Sequence, residues 1–327
     1  MRRNLLLTFV ITLFVFTGNL RSQDIHFSQY YANPLYLNPA FAGTVVCPRL
    51  ILNYRNQWPS IAGQYVTYSA SYDQHVENLS GGLGLVFNTD NAGEGTLRTN
   101  IFSAMYSYRM QVSRYVSIKL AFQGTYFQKM LDWTKLTFND MLNPKYGFVY
   151  DTHEQQPGSL KVGAADFSTG ILGYGEYFYA GFAIHHLAQP NEAFIGVSRL
   201  PRKYTIHAGG IINLEHGGKR RRIEDPYLSP NILFMKQQDF EELNYGLYFN
   251  KYPLVGGIWF RQGFGNPDAF IALLGFQTEV FKVGYSYDVT VSKLSNATGG
   301  SHEISLGFQF DCKPKKKRVR AINCPSF

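Results

Sequence analysis

Two adjacent histidines, His185 and His186, and the contiguous run Ser301, His302, Glu303 come nearest in this sequence to catalytic or metal chemistry. A metal site or a nucleophilic triad needs its side chains to converge on one point. Neighbours on a strand face opposite ways, so His185 and His186 are expected to point apart and the Ser-His-Glu run to scatter. The sequence shows no phosphate loop, zinc spacing or calcium loop. It therefore predicts no enzyme, no cofactor and no metal. A hydrolase whose residues converge from separate strands is the one catalytic arrangement left open.

Binding chemistry is better represented, in two basic clusters. Lys219, Arg220, Arg221 and Arg222 form one, and Lys313, Lys315, Lys316, Lys317, Arg318 and Arg320 form the other within the last fifteen residues. A PKKKRVR run suggests nucleic acid when met alone, but the first residues place the chain elsewhere. Arg2 and Arg3 precede an apolar run from Leu5 to Phe16, too short to span a bilayer, and a polar stretch from Thr17 to Ser22 follows. This is the layout of an export signal over residues 1–22, cleaved before Gln23, and no nucleic-acid partner is expected. The signal takes three arginines and no acid with it, so a formal charge of +8 falls to +5, with the excess in the tail.

An exported chain with three cysteines has one disulfide to make. Cys312 and Cys324 bracket the basic tail and form the candidate pair, worth about 3 kcal/mol if the geometry permits closure. Cys47, at the start of an expected strand, reads as a small buried hydrophobe.

The elements that would carry these groups are strands. Of 327 residues, 26 are Phe, 23 Tyr, 3 Trp and 31 Gly, while 17% are charged, against roughly 25% in soluble domains. Period-two alternation dominates residues 47–311, as in Ile304, Leu306, Phe308 and Phe310 against Ser305, Gly307, Gln309 and Asp311. Strands are expected at 47–56, 63–75, 81–90, 95–109, 114–128, 161–173, 176–187, 202–214, 227–236, 241–250, 253–262, 269–278, 280–290 and 301–311. Fourteen strands of this length in an exported chain predict an all-β fold, a transmembrane antiparallel barrel of the outer-membrane type.

Loop lengths agree with that reading. If the first strand runs outward, the long connections 129–160, 188–201 and 291–300 share the outer side, and short ones such as 110–113 and 174–175 share the inner side. Both basic clusters then fall on the periplasmic face, with both termini of the mature chain, and suit an anionic partner there. Tyr54, Trp58, Tyr65, Tyr106, Tyr108, Tyr126, Trp133, Tyr177, Tyr179, Tyr248, Trp259 and Phe310 are expected as interfacial girdles, with sugar binding as the sharper alternative for some. Residues 23–46 form a separate N-terminal segment, 47–311 the barrel and 312–327 a basic periplasmic tail.

The segment QYYANPLYLNPAFAG, residues 29–43, carries two Asn-Pro pairs, Asn33-Pro34 and Asn38-Pro39, and ends at Gly43. Each pair can begin or end a turn, and the apolar residues between are expected either to plug the lumen or to pack beneath its mouth. This segment resembles the opening of the PorP/SprF family of Bacteroidetes membrane proteins. NYRNQWPSIAG at 53–63, with Arg55, Gln57 and Trp58, is similar to its next block. RKYTIHAGG at 202–210, SYDVTVSKL at 286–294 and GGSHEISLGFQF at 299–310, with His302 and Glu303, are similar to later ones.

The resemblance covers nearly the whole mature chain. It implies a non-catalytic outer-membrane barrel of the type IX secretion and gliding machinery, one that supports export or surface anchoring of a cargo, such as an adhesin, bearing a C-terminal sorting domain. Implied partners are that cargo, secretion-system components, a periplasmic peptidoglycan-binding protein and outer-membrane lipid. The competing reading is a passive diffusion channel for a small solute, which requires an open lumen.

Overall fold

A strand whose alternate residues are apolar and polar is stable where one face meets hydrocarbon and the other a polar interior. The computed structural model describes residues 24–61, 63–113, 115–214, 225–264, 267–291 and 299–312. Residues 1–22, the cluster Lys219 to Arg222, the tail cations and Cys324 lie outside the described residues. Along the described chain run β1 (Arg49–Gln57), β2 (Tyr65–Val76), β3 (Gly81–Ala92), β4 (Leu97–Gln111), β5 (Ser117–Leu131), β6 (Lys161–Tyr174) and β7 (Phe178–His185). They continue with β8 (Lys203–Gly210, resumed at Ile212–Asn213), β9 (Tyr227–Gln237), β10 (Phe240–Lys251), β11 (Leu254–Gly263), β12 (Pro267–Gln277), β13 (Phe281–Thr290) and β14 (Ser301–Gln309).

Each strand pairs antiparallel with the next, and β14 pairs with β1 from Arg49 opposite Gln309 to Gln57 opposite Ser301. The fourteen expected strands are thus present among the described residues, within a few residues of their expected ends, and the sheet closes on itself. Closure leaves no strand edge to hydrocarbon. Faces follow the alternation: on β5, Leu120 and Phe122 face outward and exposed while Ser117, Lys119 and Gln123 are buried.

The connections 132–160 and 186–202, and the strand ends Thr290 and Ser301, stand at one end, which we call the long-loop end. Turns such as 112–116, 175–177 and 278–280 stand at the other, the short-turn end. Within 132–160 a small hairpin, Leu142–Asn143 with Gly147–Phe148, projects beyond the barrel.

Residues 24–44 thread the lumen. A 3-10 turn (Tyr30–Ala32), one helical turn (α1, Pro34–Leu37) and a second 3-10 turn (Pro39–Phe41) fold it into a plug. Proline fits the first position of a helical turn because its missing N–H is one that has no partner there. The Asn38 side chain accepts a hydrogen bond from the Ala40 N–H at 2.9 Å and caps the second 3-10 turn. At the short-turn end Gly43 has φ +61°, its N–H donates to Asp73 at 2.9 Å, and a Cβ there would stand 2.5 Å from Gly82 Cα. No other residue makes that approach without moving the wall.

Three expectations are corrected here. Cys47 is bonded to Cys312, with Cα atoms 5.5 Å apart, in place of the Cys312–Cys324 pair, and Cys47 is half-buried rather than a core residue. The reason is closure: Arg49 opposes Gln309, so residues just outside β1 and β14 meet at the seam although 265 positions separate them. Next, the ends of the described chain lie at opposite ends of the barrel rather than on one side. Asp24 meets His186, Lys203 and Gln237 at the long-loop end, whereas Cys312 lies beside Cys47 at the short-turn end. Finally, Tyr179, Tyr248 and Trp259 are no girdle residues. They face inward and pack on the plug, with Tyr31 centroids 5.9, 6.2 and 5.6 Å from theirs.

The seam disulfide yields a direct expectation. Replacing Cys47 and Cys312 by Ser lowers barrel stability by about 2–4 kcal/mol, read as a lower temperature for loss of the compact band on unheated gels. A non-reducing digest is expected to yield a peptide joining Cys47 to Cys312; one joining Cys312 to Cys324 would contradict the seam pairing.

Candidate functional site

The plug is held by charges that β1, β11, β13 and β14 aim inward. Arg55 is almost fully buried and bridges two carboxylates, Glu303 at 3.1 Å and Asp288 at 3.2 Å. Arg261 adds a second cation at 3.1 Å from Asp288. These groups grip the plug directly: the Glu303 carboxylate accepts from the Ser28 and Gln29 backbone N–H groups at 2.7 and 3.1 Å. The Ser28 hydroxyl donates to Asp288 at 2.5 Å and accepts from Arg55 at 2.6 Å. Arg261 also pairs with the half-exposed Asp268 at 2.5 Å, so each of the two fully buried carboxylates, Asp288 and Glu303, faces at least one arginine, the condition under which such charges are tolerated away from water.

The second Asn-Pro pair anchors the plug elsewhere. Asn38 donates to the Ile171 carbonyl at 3.1 Å and stands 3.1 Å from the His207 ring, while Asn33 donates to Ser69 at 3.0 Å. At the short-turn end the Ala42 carbonyl accepts from Ser107 at 2.7 Å and from Lys119, and Arg49 holds Asp73 at 2.9 Å.

At the long-loop end the plug stops short of filling the barrel and leaves a chamber of about 760 Å³. Gln57 and Trp58 stand at its rim, Leu35 and Tyr36 form its floor, and strands β2 to β6 supply most of its wall. A charged latch crosses it. His186 meets Asp166 at 2.6 Å and Asp24 at 2.8 Å; Lys203 meets Asp24 at 2.8 Å, and Lys129 pairs with Glu192.

Here the expectation for the two histidines is overturned. β7 ends at His185, and His186 has φ +60°, a left-handed conformation that breaks strand alternation. Both rings therefore face the lumen, 6.4 Å apart. No group of three His, Cys, Asp or Glu residues able to hold a metal ion is found among the described residues.

Burial opposes charge on His186, but the carboxylates of Asp24 and Asp166 outweigh it and raise the imidazole to about 9. Burial likewise opposes the Asp24 carboxylate, and His186 and Lys203 hold it well below the usual range. A raised His186 stabilises the latch fully below its ordinary value of 6.5 and loses that contribution as pH climbs towards 9. The expected loss is on the order of 3 kcal/mol, seen as a falling unfolding temperature across that window. His186→Asn should flatten the profile; an unchanged slope in that variant would remove His186 as the cause.

Strand alternation divides the remaining expected residues. Glu303 joins the plug cluster, whereas His302 turns outward, 2.9 Å from the Tyr285 hydroxyl and tilted against Tyr287 with ring centroids 4.9 Å apart. Sequence reading did not single out Ser28, Asp73, Arg261 or Asp288 as partners. The available signal was a charged residue at an inward position of a lipid-crossing strand, which is costly unless paired.

Taken together, a closed strand wall, an apolar outer face and a lumen occupied by the chain's own N-terminal segment define a plugged outer-membrane β-barrel. The chain belongs to the family described as type IX secretion system membrane protein PorP/SprF, which matches residues 19–308. No curated protein matches it. Among solved structures, the Acinetobacter baumannii outer membrane protein Omp33 is similar at 7% identity and a TM-score of 0.45, over 81% of this chain and 99% of that one. A Pseudomonas aeruginosa FadL homologue is similar at 12% identity and 0.41, over 81% and 90%, and the KdgM porin at 9% and 0.37, over 80% and 99%. None of these carries function over to this chain.

Proposed function

We propose that this barrel is a non-conducting, non-catalytic anchor of the type IX secretion machinery. Its long-loop end faces the outside and engages a secreted cargo protein bearing a C-terminal sorting domain. Its basic tail, on the periplasmic side, couples the barrel to secretion-system components and to a peptidoglycan-binding protein. The observation that carries this reading is the plug: residues 27–44 are nearly all buried within the lumen, and buried charge pairs tie them to the wall. A lumen occupied this way weighs against free diffusion of a solute.

Projecting loops supply the contact area. Leu142, Tyr146, Phe148 and Tyr150 of the long loop are about half exposed or more, an apolar patch outside the strand wall that favours a binding surface. In cells expressing a chain truncated after Cys312, the barrel is expected to insert normally and surface display of the cargo to be lost. Normal display would defeat the proposed coupling.

A further inference from the structure

β6 stands taller than the strand that follows it. β5 pairs with it from Ser117 opposite Tyr174 up to Met130 opposite Lys161, whereas β7 pairs with it only from Tyr179 opposite Tyr174 up to Ile184 opposite Thr169. Above Thr169 the β7 side of β6 is therefore an open edge. The Leu131 N–H donates to the Leu160 carbonyl at 3.0 Å, and the Leu187 N–H to the Phe167 carbonyl at 2.9 Å. Backbone groups along a strand turn to alternate sides residue by residue. Even-numbered residues of β6 thus face β5, while Lys161, Gly163, Ala165 and Phe167 face the edge. The Ser159 hydroxyl accepts from the Lys161 N–H at 3.2 Å and donates to its carbonyl at 2.7 Å. Between that stop and Leu187, the Gly163 and Ala165 N–H and C=O groups have no partner on the edge side among the described residues. Both residues are exposed.

The turn that builds the latch also opens this edge. His186 at φ +60° and Gln189 at φ +47° take the chain off the ladder, and His186 is drawn inward to Asp166 and Asp24. Outward-facing residues give the height. Phe102 opposes Tyr126, and Tyr126 opposes Ala165; the next row up is Asn100, Gln128 and Gly163, and above it Arg98, Met130 and Lys161. The aromatic row ends the apolar belt and the rows beyond it are largely polar, so Gly163 stands above the belt and Ala165 at its rim. An unpaired edge is untenable in hydrocarbon and persists where water satisfies it. Beside it, the loop that Glu192 ties to Lys129, which opposes Val162, carries Ile195 and Val197, each 77% exposed.

We infer that the upper edge of β6 takes an extended strand of the secreted cargo by strand addition, the cargo backbone bonding Gly163 and Ala165. This rests on the reading that the long-loop end engages the cargo. The edge selects its occupant by chemistry: each of the two residues presents an N–H and a C=O at strand spacing, a pattern that another extended backbone meets in register. From Lys161 to Phe167 it spans about 20 Å, at about 3.3 Å per residue. Gly163 and Ala165 carry little side chain, so a large residue of the incoming strand can lie across them next to Tyr126, whose hydroxyl already stands 2.6 Å from where a Cβ on Gly163 would be. A second copy of this chain does not fit. Antiparallel pairing of one edge with itself needs a two-fold axis perpendicular to the sheet, hence in the membrane plane, and would turn one barrel upside down.

The test applies the full chain in detergent to an array of decapeptides tiling the C-terminal sorting domains encoded in the same genome. One or more peptides are expected to bind. N-methylation of the best binder, one residue at a time, should weaken it by about tenfold at alternate positions and little between them, since only alternate N–H groups of an added strand face the edge. Ala165→Pro removes an N–H that points away from β5, a position where proline is tolerated, and should weaken binding by about tenfold. Ala165→Ser, which keeps the N–H, should bind as the parent does. Compact migration of unheated samples checks that each variant is folded. No binding, a methylation scan without alternation, or undiminished binding by folded Ala165→Pro would overturn the assignment. The scan alters the peptide alone, so it decides the matter whether or not the proline variant inserts. Cargo display is measured separately, so failure here leaves the anchoring proposal standing.

Discussion

Deleting residues 24–44 is expected to turn a silent barrel into a conducting one. The strand wall closes without the plug, because every strand from β1 to β14 pairs with two neighbours. Arg55, Arg261, Asp288 and Glu303 remain paired with one another on that wall. What the deletion exposes is a lumen lined by Ser69, Asn53, Thr205 and similar groups, which hydrate readily. Fourteen strands enclose enough space to conduct unless filled, so steady current in planar bilayers should exceed that of the intact chain by about tenfold or more. Large steady currents from the intact chain would sink the anchor reading and restore the diffusion channel. A truncated barrel that inserts yet stays silent would show that something other than the plug closes it.

Arg55→Leu should be the most damaging single substitution in the lumen. It leaves Glu303 buried with two backbone donors and no facing cation, while Asp288 keeps Arg261. Removing one partner of a buried charge pair costs about 3–5 kcal/mol, chiefly because the other charge stays uncompensated. The denaturant midpoint for loss of compact migration is therefore expected to fall sharply. Adding Glu303→Gln should recover part of the loss, since a neutral amide needs no cation although its one oxygen can accept from only one of the Ser28 and Gln29 N–H groups, and the two changes would then be far from additive. Additive losses would show that Arg55 and Glu303 do not act together.

Much of this was legible in the chain itself. Alternation located β1 to β14 because hydrocarbon outside and polar groups inside impose a period of two on every strand, whatever its neighbours. The two Asn-Pro pairs were readable as turns because proline acts locally, through φ and a missing donor. His186 was misread for a related reason: alternation holds only while the strand lasts, and β7 stops one residue earlier. Tyr179, Tyr248 and Trp259 were misread because an aromatic on a strand suits an interface or a core equally well. The plug's Tyr30, Tyr31 and Phe41 decide the matter.

The sequence alone determined the strand count, the antiparallel barrel and the sorting of long and short connections, since each depends on patterns within a few neighbouring residues. Only the tertiary structure decided that the N-terminal segment fills the lumen, that Cys47 bonds Cys312, and that Arg55 meets Glu303. Those pairings join residues more than two hundred positions apart. Barrel closure brings them into contact, and no local periodicity encodes which inward-facing groups will meet once the first and last strands have paired.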